Sequence, residues 1–513
     1  MGFRPSTDEL LERLRQNPSV LNGWDVVLNL SLDHMNKAFK DQFEALKSSG
    51  KLVNSMKFVA SGSRFKKKTI KTEFDITLSY PELCFPARTP EVVKLTTKVE
   101  GKMTQFEEVN GKKTDSAEPV SLGKNGEILE ATILLGMVEG RSHSGADTTD
   151  RHVLSIVLNL AKGDFTAKNM GLDDETNFSF NKDLKSHFTH NPVQFILNSI
   201  DMRNHASLDA LTPSSFIFKT LTPTTSRKPC LQVFIRTGKS GTTNVTQNFL
   251  NDFPEPIPEG ADCSILISDN VFFNHVLPTS VHQCSVGQWT LEGVPPGQKK
   301  IFWSSQAKSG YVYAKVDPRE AGDTFRNPEN GWTTVTRLRL LDAIGDGLID
   351  WDVKGLTFSV ADFGRLAMNW WPVKKTVGFE MHSITYGPIG GPIDFKNDIM
   401  VDLTISAQAS VKLLINGSGR DQKIAMKMDG TPTVSAEVSS DASKWHGTYN
   451  RNLGNIMKRE VPGRLQKELT IDFKPISVFV LQNLLFPDKN YITLHTAKSA
   501  GTVLLLGKFA KEQ

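Results

Sequence analysis

The sequence predicts an elongated α+β protein in which long amphipathic helices are wrapped by long, highly curved antiparallel β-sheets. Two patterns support this fold class: a helical stripe of apolar residues within residues 22–50, and strict apolar–polar alternation over residues 399–415. Because sheets twist, strands of that length must coil. A helix laid along the concave face of such a sheet would bury the apolar surfaces of both elements.

The first long helix is predicted by apolar residues that recur at steps of three and four. Gly50 is typical of a helix C-terminus, so we expect a single helix across most of residues 22–50. Residues 1–22 are predicted to form an N-terminal capped helix or extension, with Thr7 as the N-cap. The stripe of the long helix consists of Leu28, Leu32, Met35, Phe39, Phe43 and Leu46.

Strands are predicted wherever apolar residues alternate with polar ones. The longest run covers residues 399–415, and Asn416-Gly417 then offers a turn before Ile424, Met426 and Met428 continue the pattern. Residues 69–80 alternate in the same way. Further strands are predicted at residues 93–99, 130–138 and 153–160.

Three further helices are expected, one of them around residues 192–200. Trp445, Tyr449, Leu453 and Ile456 share a helical face, which Pro462-Gly463 should interrupt. Residues 476–487 are apolar on nearly all sides, as in a covered helix. A Pro/Ser/Thr-rich stretch at residues 211–229 suggests a boundary. We therefore predict helix-plus-curved-sheet modules at residues 23–215 and 216–513, the second with a C-terminal helix.

A helix that only partly covers a curved sheet leaves a long apolar groove. An acyl chain is a natural occupant, because each CH₂ removed from water contributes about 0.8 kcal/mol. The alternative is that side chains fill the space completely, and periodicity alone favours this filled core. The groove would be lined by residues from the helix stripe and from the alternating strand: Leu28, Leu32, Met35, Phe39, Phe43, Val401, Leu403, Ile405, Val411 and Leu413.

Composition excludes several classes of protein. The 513 residues carry a net charge of +4, far from that of a dedicated nucleic-acid binder. No window reaches the roughly 18 apolar residues of a membrane span. The charged N-terminus does not resemble a secretory signal, so synthesis in the cytoplasm is expected, with any release by a non-standard route. The four cysteines lie far apart and include no C-x-x-C pair.

No catalytic, cofactor or metal motif survives a test of its spacing. Gly238-Lys239-Ser240 resembles a phosphate-binding loop, but Val233 stands where the first glycine is required. His187 and His190 lack further zinc ligands. Residues 342–352 lack an oxygen ligand at the third position of a calcium loop, and residues 140–145 miss the G-x-S-x-G spacing. We therefore expect neither an enzyme nor a bound cofactor.

Two stretches have the composition of membrane contacts. Trp370 and Trp371 stand beside Lys374 and Lys375, a combination suited to the head-group level of a bilayer. A basic run could contact anionic lipids; it comprises Arg64, Lys66, Lys67 and Lys68. The alternatives are a core tryptophan at a strand end and a solvated charge run.

Four stretches resemble a known bacterial family: "NGWDVVLNLSLDHMN" (22–36), "CSILISDNVFFNHVLP" (263–278), "TYGPIGGPI" (385–393) and "ISVFVLQNLLFPDKN" (476–490). They are similar to segments of the OrfX proteins and the 47-kDa accessory protein of botulinum neurotoxin gene clusters. The resemblance implies the tubular lipid-binding (TULIP) superfamily, which includes bactericidal/permeability-increasing protein. It implies a long helix wrapped by a curved antiparallel sheet, and lipid binding, with phosphoinositides as ligands of OrfX members. It also implies an accessory role beside a toxin.

Together these observations predict a non-enzymatic lipid-binding protein accessory to a bacterial toxin system. Acyl chains would lie in the apolar groove, and basic residues near its mouth would recognise anionic, phosphoinositide-type head groups. The alternative is a scaffold or chaperone in a toxin-associated complex, without bound lipid. Expected partners are lipid and, in either case, related tubular proteins or a toxin encoded nearby. At 56.9 kDa, the chain is larger than the 47-kDa member, so its role need not be the same.

Overall fold

Antiparallel sheets and the helices packed on them make up the fold, and every strand pair in the described part of the chain is antiparallel. The structure is a computed structural model. It describes residues 4–16, 21, 23–50, 54–65, 68–84, 92–134, 140–141, 153–159, 164–190, 194–201, 211, 213–221, 229–237, 255–284, 290–294, 304–309, 311–322, 324–326, 328–341, 348–439, 447–482 and 492–509.

The helices vary from single turns to twenty-two residues. A π-helical turn, Phe272–Val276, joins α4 to α5, and 3₁₀ turns lie at Pro318–Ala321 and Gly419–Asp421. The α-helices are α1 (Thr7–Gln16), α2 (Leu32–Ser48), α3 (Asp174–His190), α4 (Asp269–Val271), α5 (Leu277–Ser280), α6 (Gly447–Glu468) and α7 (Phe479–Gln482).

The strands, in chain order, are β1 (Val26–Ser31), β2 (Ser55–Phe65), β3 (Lys68–Leu78), β4 (Glu82–Cys84), β5 (Val92–Val109), β6 (Lys112–Ser116), β7 (Val120–Leu122), β8 (Ile128–Leu134), β9 (Gly140–Arg141), β10 (Val153–Asn159), β11 (Asp164–Lys168), β12 (Gln194–Asp201), β13 (Pro213–Leu221), β14 (Cys230–Thr237), β15 (Cys263–Ile267), β16 (Val281–Cys284), β17 (Thr290–Val294), β18 (Ser304–Ser309), β19 (Tyr311–Lys315), β20 (Thr324–Arg326), β21 (Thr333–Leu340), β22 (Leu348–Asp352), β23 (Leu356–Asp362), β24 (Arg365–Tyr386), β25 (Ile393–Asn416), β26 (Lys423–Met428), β27 (Thr433–Ser439), β28 (Ile471–Phe473), β29 (Ile476–Ser477), β30 (Ile492–Ala500) and β31 (Thr502–Phe509).

A seven-stranded sheet combines strands from distant parts of the chain, in the order β30-β31-β15-β1-β14-β13-β9. Strands β15 and β1 are buried on both faces, as are most residues of β31 and β14. Val26 and Leu28 of β1 belong to the main apolar core, whereas Val27 faces a second apolar cluster under α1. Continuous apolar runs such as "VVLNLS" and "CLQVFI" are therefore the sequence signature of strands covered on both sides.

Residues 26–31 correct the predicted long helix, because they form β1 and α2 begins only at Leu32. Ser31 at the junction has an extended backbone, with φ −62° and ψ 133°. Leu28 fits the helical spacing of the stripe, but as part of β1 it lies between β14 and β15. The remaining helix has 17 residues, and it buries the side chains of Met35, Phe39 and Phe43.

An eight-stranded sheet covers the N-terminal part, in the order β11-β8-β5-β3-β2 with β4, β6 and β7 also paired to β5. The predicted strand at residues 93–99 lies within β5. The strands predicted at residues 130–138 and 153–160 are present in β8 and β10 up to residues 134 and 159, and residues 135–138 and 160 lie outside the described part. Gly101 lets β5 pass closely over β3: its φ is +131°, and a Cβ there would lie 2.2 Å from the Asp75 carbonyl oxygen. Helix α3 packs on β2 and β11.

A ten-stranded sheet contains β17-β18-β23-β24-β25-β26-β29, with β20, β21 and β27 attached, and curls into a half-barrel. Its hairpin of β24 and β25 has strands of 22 and 24 residues. The alternation over residues 399–415 therefore lies within one continuous strand, as predicted. Helix α6 packs against β27, β19 and β25.

Several other helix predictions need correction. Residues 194–201 are strand β12, whose aromatic and β-branched residues pair with β10, and the nearby helix is α3. Ser6, not Thr7, caps α1: its Oγ accepts from Glu9 N at 3.2 Å, and Glu9 Oε2 accepts from Ser6 N at 2.7 Å. In residues 476–482 only α7 is helical, and residues 483–487 lie outside the described part.

Helix α6 continues through Pro462, where an interruption was expected. A proline inside a helix costs about 3 kcal/mol, but apolar burial on both sides of it offsets that cost. The division of the chain at residue 215 stays a prediction; β13 spans residues 213–221, so a boundary there would cut a strand. The buried face of α6 repeats every four residues, at Leu453, Met457, Val461 and Leu465, and Leu469 continues it just after the helix ends.

Candidate functional site

The β24–β25 hairpin carries half of the predicted groove residues on one apolar face. Its register places Leu366 opposite Val411 and Val377 opposite Val401, so apolar side chains from both strands form one stripe. The groove residues on β25, each at most 4% exposed, are Val401, Leu403, Ile405, Val411 and Leu413. This face is therefore core in the described conformation.

A β-bulge separates the two adjacent tryptophans of β24. Trp370 pairs with Ala407 and Val373 with Ile405, so β24 has one extra residue between these pairs. Pro372, which has no N–H to donate, lies in the bulge. Trp370 is 2% exposed and Trp371 is 66% exposed. The predicted membrane contact is therefore wrong for Trp370, whose ring packs in the core, and only Trp371 reaches solvent.

Carboxylates neutralise the basic residues predicted to meet lipid head groups. Lys374 Nζ lies 2.8 Å from Asp402, and Lys375 Nζ contacts the Asp350 carboxylate. Hydrogen bonds from Lys374 and then Thr376 lower the pKa of Asp402. Such exposed ion pairs contribute little to stability, so a phosphate could replace the carboxylate.

The predicted basic run is only partly described. Lys68 Nζ lies 2.9 Å from Glu107 Oε2. Lys66 and Lys67 lie outside the described residues, and for Arg64 the structure gives the backbone in β2, paired with Thr69.

Helix α6 covers the apolar face of the ten-stranded sheet. It approaches β27 most closely at Gly454, where an added Cβ would lie 3.3 Å from Val438 Cγ1. The glycine therefore lets helix and strand meet without an intervening side chain. The stripe Leu453, Met457, Val461, Leu465 and Leu469 is fully buried in the same apolar cluster as Val401 and Leu403.

The apolar interior reaches the protein surface along β27. Val434, Ala436 and Val438 pack against the core but are only half-buried, whereas the alternate residues of the strand are exposed. We call this line of contact between β27 and α6 the β27–α6 seam. Here two apolar surfaces meet where the side chains of β27 are partly exposed to solvent.

Helix α2 carries the other predicted groove residues but packs elsewhere. Met35, Phe39 and Phe43 are buried, Leu32 is half-buried, and the helix lies mainly against β1 and β4. All ten predicted residues border one continuous apolar cluster. They nevertheless form two groups, one beneath α2 and one beneath α6, because α6 is the helix that packs on β25.

An open cleft of about 710 Å³ lies between α1, β30 and the turn from β23 to β24. Its cations are engaged by carboxylates: Lys498 lies 2.7 Å from Asp8, and Lys412 lies 2.6 Å from Asp429. Burial, and then nearby Lys508, lower the pKa of His495 in the same cleft. The lining of the cleft combines these paired charges with apolar side chains such as Leu414 and Ile415.

The rejected sequence motifs gain no support from the structure. His190 is exposed at the end of α3, and residues 238–240, 142–145 and 342–347 lie outside the described residues. Where side chains are described, no three His, Cys, Asp or Glu residues cluster as metal ligands would. Among the described helices, none is both long and apolar enough to cross a membrane.

Sequence reasoning missed the β27–α6 seam. The alternation in "TVSAEVS" and the four-residue spacing from Leu453 through Met457 to Val461 were both available signals. Expecting a break at Pro462 shortened the predicted helix and concealed its continuous apolar stripe.

No protein-family model matches the chain, and no curated protein is matched by its sequence. Among solved structures, P47 of Clostridium botulinum A2 and P47 of C. botulinum E1 are each 13% identical with a TM-score of 0.49. The alignments cover 95% of this chain and 98% and 99% of theirs. A lipopolysaccharide-binding protein is 10% identical with a TM-score of 0.26, covering 96% of this chain and 99% of that one. P47 is a member of the family that the four sequence stretches resemble.

Proposed function

We propose that this chain is a non-enzymatic lipid-binding protein that holds acyl chains in its apolar interior, beneath α6 and beside β25. In this proposal lipid enters at the β27–α6 seam. The single observation that supports it most is the half-buried apolar face of β27, where Val434, Ala436 and Val438 connect the interior to the surface. When an acyl chain enters, its CH₂ groups would replace the water that contacts these three side chains.

Recognition of anionic head groups is the second part of the proposal. Trp371 is exposed, and Lys374 follows it three residues later in β24. Lys375 lies two positions after Val373, the first paired residue beyond the bulge. A phosphate could displace Asp402 from Lys374 because that pair is exposed. Phosphoinositides as ligands, and an accessory role beside a bacterial toxin, follow from the sequence resemblance and are proposed on that basis.

One observation favours the alternative, a scaffold or chaperone without bound lipid. Val401, Leu403 and Ile405 are completely buried, which means that the chain's own side chains fill the interior in the described conformation. A protein that binds only other proteins, such as related tubular proteins or a toxin, needs no conformation other than this one. Lipid binding requires α6 or its side chains to move.

Native mass spectrometry of the purified chain, with lipid extraction from the same sample, tests the proposal. We expect additional masses that correspond to bound lipid and disappear after extraction. Retention on phosphoinositide-containing liposomes, compared with phosphatidylcholine liposomes, tests head-group recognition. The scaffold alternative would be established by two results together. The chain would carry no lipid, take none up on incubation and bind neither kind of liposome, and it would co-purify with a neighbouring gene product.

A further inference from the structure

The turn of the β24–β25 hairpin presents a concentrated apolar surface. Four of the twelve exposed large apolar side chains of the described residues fall within residues 386–395. They are Tyr386, Ile389, Ile393 and Phe395, and Ile389 is 94% exposed. The turn itself, "YGPIGGPI", contains no charged residue. We call residues 386–395 the hairpin tip.

The tip extends beyond the core of the ten-stranded sheet. Thr385 pairs with Ile393 and Ser383 with Phe395, so Ile393 and Phe395 lie on one face of the hairpin and Tyr386 on the other. Residues 393–396 are all exposed, and regular burial begins only at Ile399. Ile393 and Phe395 continue the face of β25 that carries Ile399 and Val401, but they extend beyond the elements that cover those core residues. The opposite face of the tip carries Tyr386 and Asp394.

Polarity changes in order along the hairpin. Ile389 lies at the end, and the ring of Trp332 packs against Gly387 just behind it. Arg337, His382 and Lys396 form a row across three neighbouring strands. This row lies about 10–14 Å behind Tyr386 and Ile393 at 3.4 Å per residue. Arg337 and Lys396 are exposed and form no ion pair within the described residues. Asp394, the one acidic residue of the tip, pairs with His382 of this row. The remaining order, from aliphatic to aromatic to basic, is that of a bilayer interface.

We propose that the hairpin tip docks on a lipid bilayer, with Ile389 and Ile393 among the acyl chains and Arg337 and Lys396 at the phosphates. A specific protein interface usually buries at least about 1,200 Å², which a single narrow turn does not offer. This inference rests on the proposed lipid-binding function and adds the surface through which the chain would meet a membrane.

Vesicle partitioning of the full chain tests the tip directly. We expect Ile389→Asp with Phe395→Asp to lower the partition coefficient onto phosphatidylcholine–phosphatidylserine vesicles at least about tenfold. Phe178→Asp is the matched control, because Phe178 is 74% exposed on α3 and should leave partitioning unchanged. Arg337→Gln and Lys396→Gln should each weaken binding about fivefold when phosphatidylserine is present, and little on phosphatidylcholine alone.

A second measurement reports where the tip lies. An environment-sensitive dye on Ile389→Cys, in a Cys84→Ser background because Cys84 is exposed, should shift to the blue on vesicles; the same dye on Phe178→Cys should not. The inference would be overturned if the wild-type chain did not bind vesicles, or if the tip variants bound vesicles as strongly as the wild type does. Native mass spectrometry of the same variants distinguishes the two proposals. Tip variants that keep bound lipid but no longer bind vesicles support both lipid binding in the interior and docking through the tip.

Discussion

The side-chain amide of Gln422 pairs with the main chain of Leu494 in the manner of a neighbouring strand. Gln422 Nε2 donates to Leu494 O at 2.7 Å, and Leu494 N donates to Gln422 Oε1 at 2.8 Å. Gln482 Nε2 also donates to Gln422 Oε1 at 2.7 Å. Gln422 precedes β26 and Leu494 lies in β30, so this buried amide joins the ten-stranded sheet to the seven-stranded one.

We therefore expect Gln422→Ala to destabilise the chain by roughly 2–4 kcal/mol. The substitution leaves the Leu494 N–H and C=O buried without partners, and each orphaned group costs about 1–3 kcal/mol. Urea unfolding followed by tryptophan fluorescence measures the loss. Gln408→Ala, at an exposed position of β25, is the control and should change the unfolding free energy by less than about 0.5 kcal/mol. Equal midpoints for the two variants would refute this role for Gln422.

Period-two alternation predicted the sheets well because it reports directly on which face of a strand is buried. The strand at residues 399–415 was found because Val401 to Leu413 face the core while Asp402 and Lys412 face water. The same logic fails for β1, where both faces are covered. Leu28 there satisfies helical spacing with Leu32 of α2 by coincidence, since only pairing with β14 and β15 decides the backbone conformation of β1.

The candidate site was less predictable, because its features depend on register and on tertiary contacts. Trp370 and Trp371 are neighbours in the sequence, and the register of β24, in which Trp370 follows Leu366 and Met368 on the buried face, decides which ring is exposed. The hairpin tip left a clearer signal, an uncharged Gly/Pro-rich turn between two alternating runs. The position of α6 against β27 depends on contacts remote in sequence, such as that between Gly454 and Val438.

Asp269 gives the chain a predicted pH dependence. Burial at the start of α4 raises the pKa of its carboxyl to about 6, against 3.8 in the ordinary case, although the Asn270 N–H donates to it at 2.8 Å. Between these two values the folded state binds a proton that the unfolded state has lost. The free energy of unfolding should therefore fall as pH rises from about 4 to 6 because of this residue.

Asp269→Asn should remove this contribution and raise stability at pH 7 by roughly 1–3 kcal/mol relative to wild type, since one pKa unit corresponds to about 1.4 kcal/mol. At pH 4 the two proteins should differ little. Urea midpoints measured at both pH values test this. Asp398→Asn, at an exposed position, should follow the wild-type profile. A variant that loses stability at pH 7 would show that the ionised carboxylate is stabilising instead.

The β27–α6 seam can be locked by a disulfide, which tests whether lipid enters there. A Cβ on Gly454 would lie 3.7 Å from Val438 Cβ, within the roughly 3.5–4.5 Å that disulfides require. We expect Val438→Cys with Gly454→Cys, in a Cys84→Ser background, to form this bond on oxidation. Uptake of a fluorescent phospholipid should then fall to the level of a sample without protein.

Reduction of the same sample should restore uptake, because only the cross-link prevents α6 from separating from β27. Each single variant, oxidised in parallel, controls for the added thiol and for the loss of the Val438 side chain. Undiminished uptake by the oxidised double variant would place the entry elsewhere, for instance beneath α2, where Met35, Phe39 and Phe43 border the same apolar cluster. If the reduced form also takes up no lipid while wild type does, the seam residues themselves contact the acyl chain.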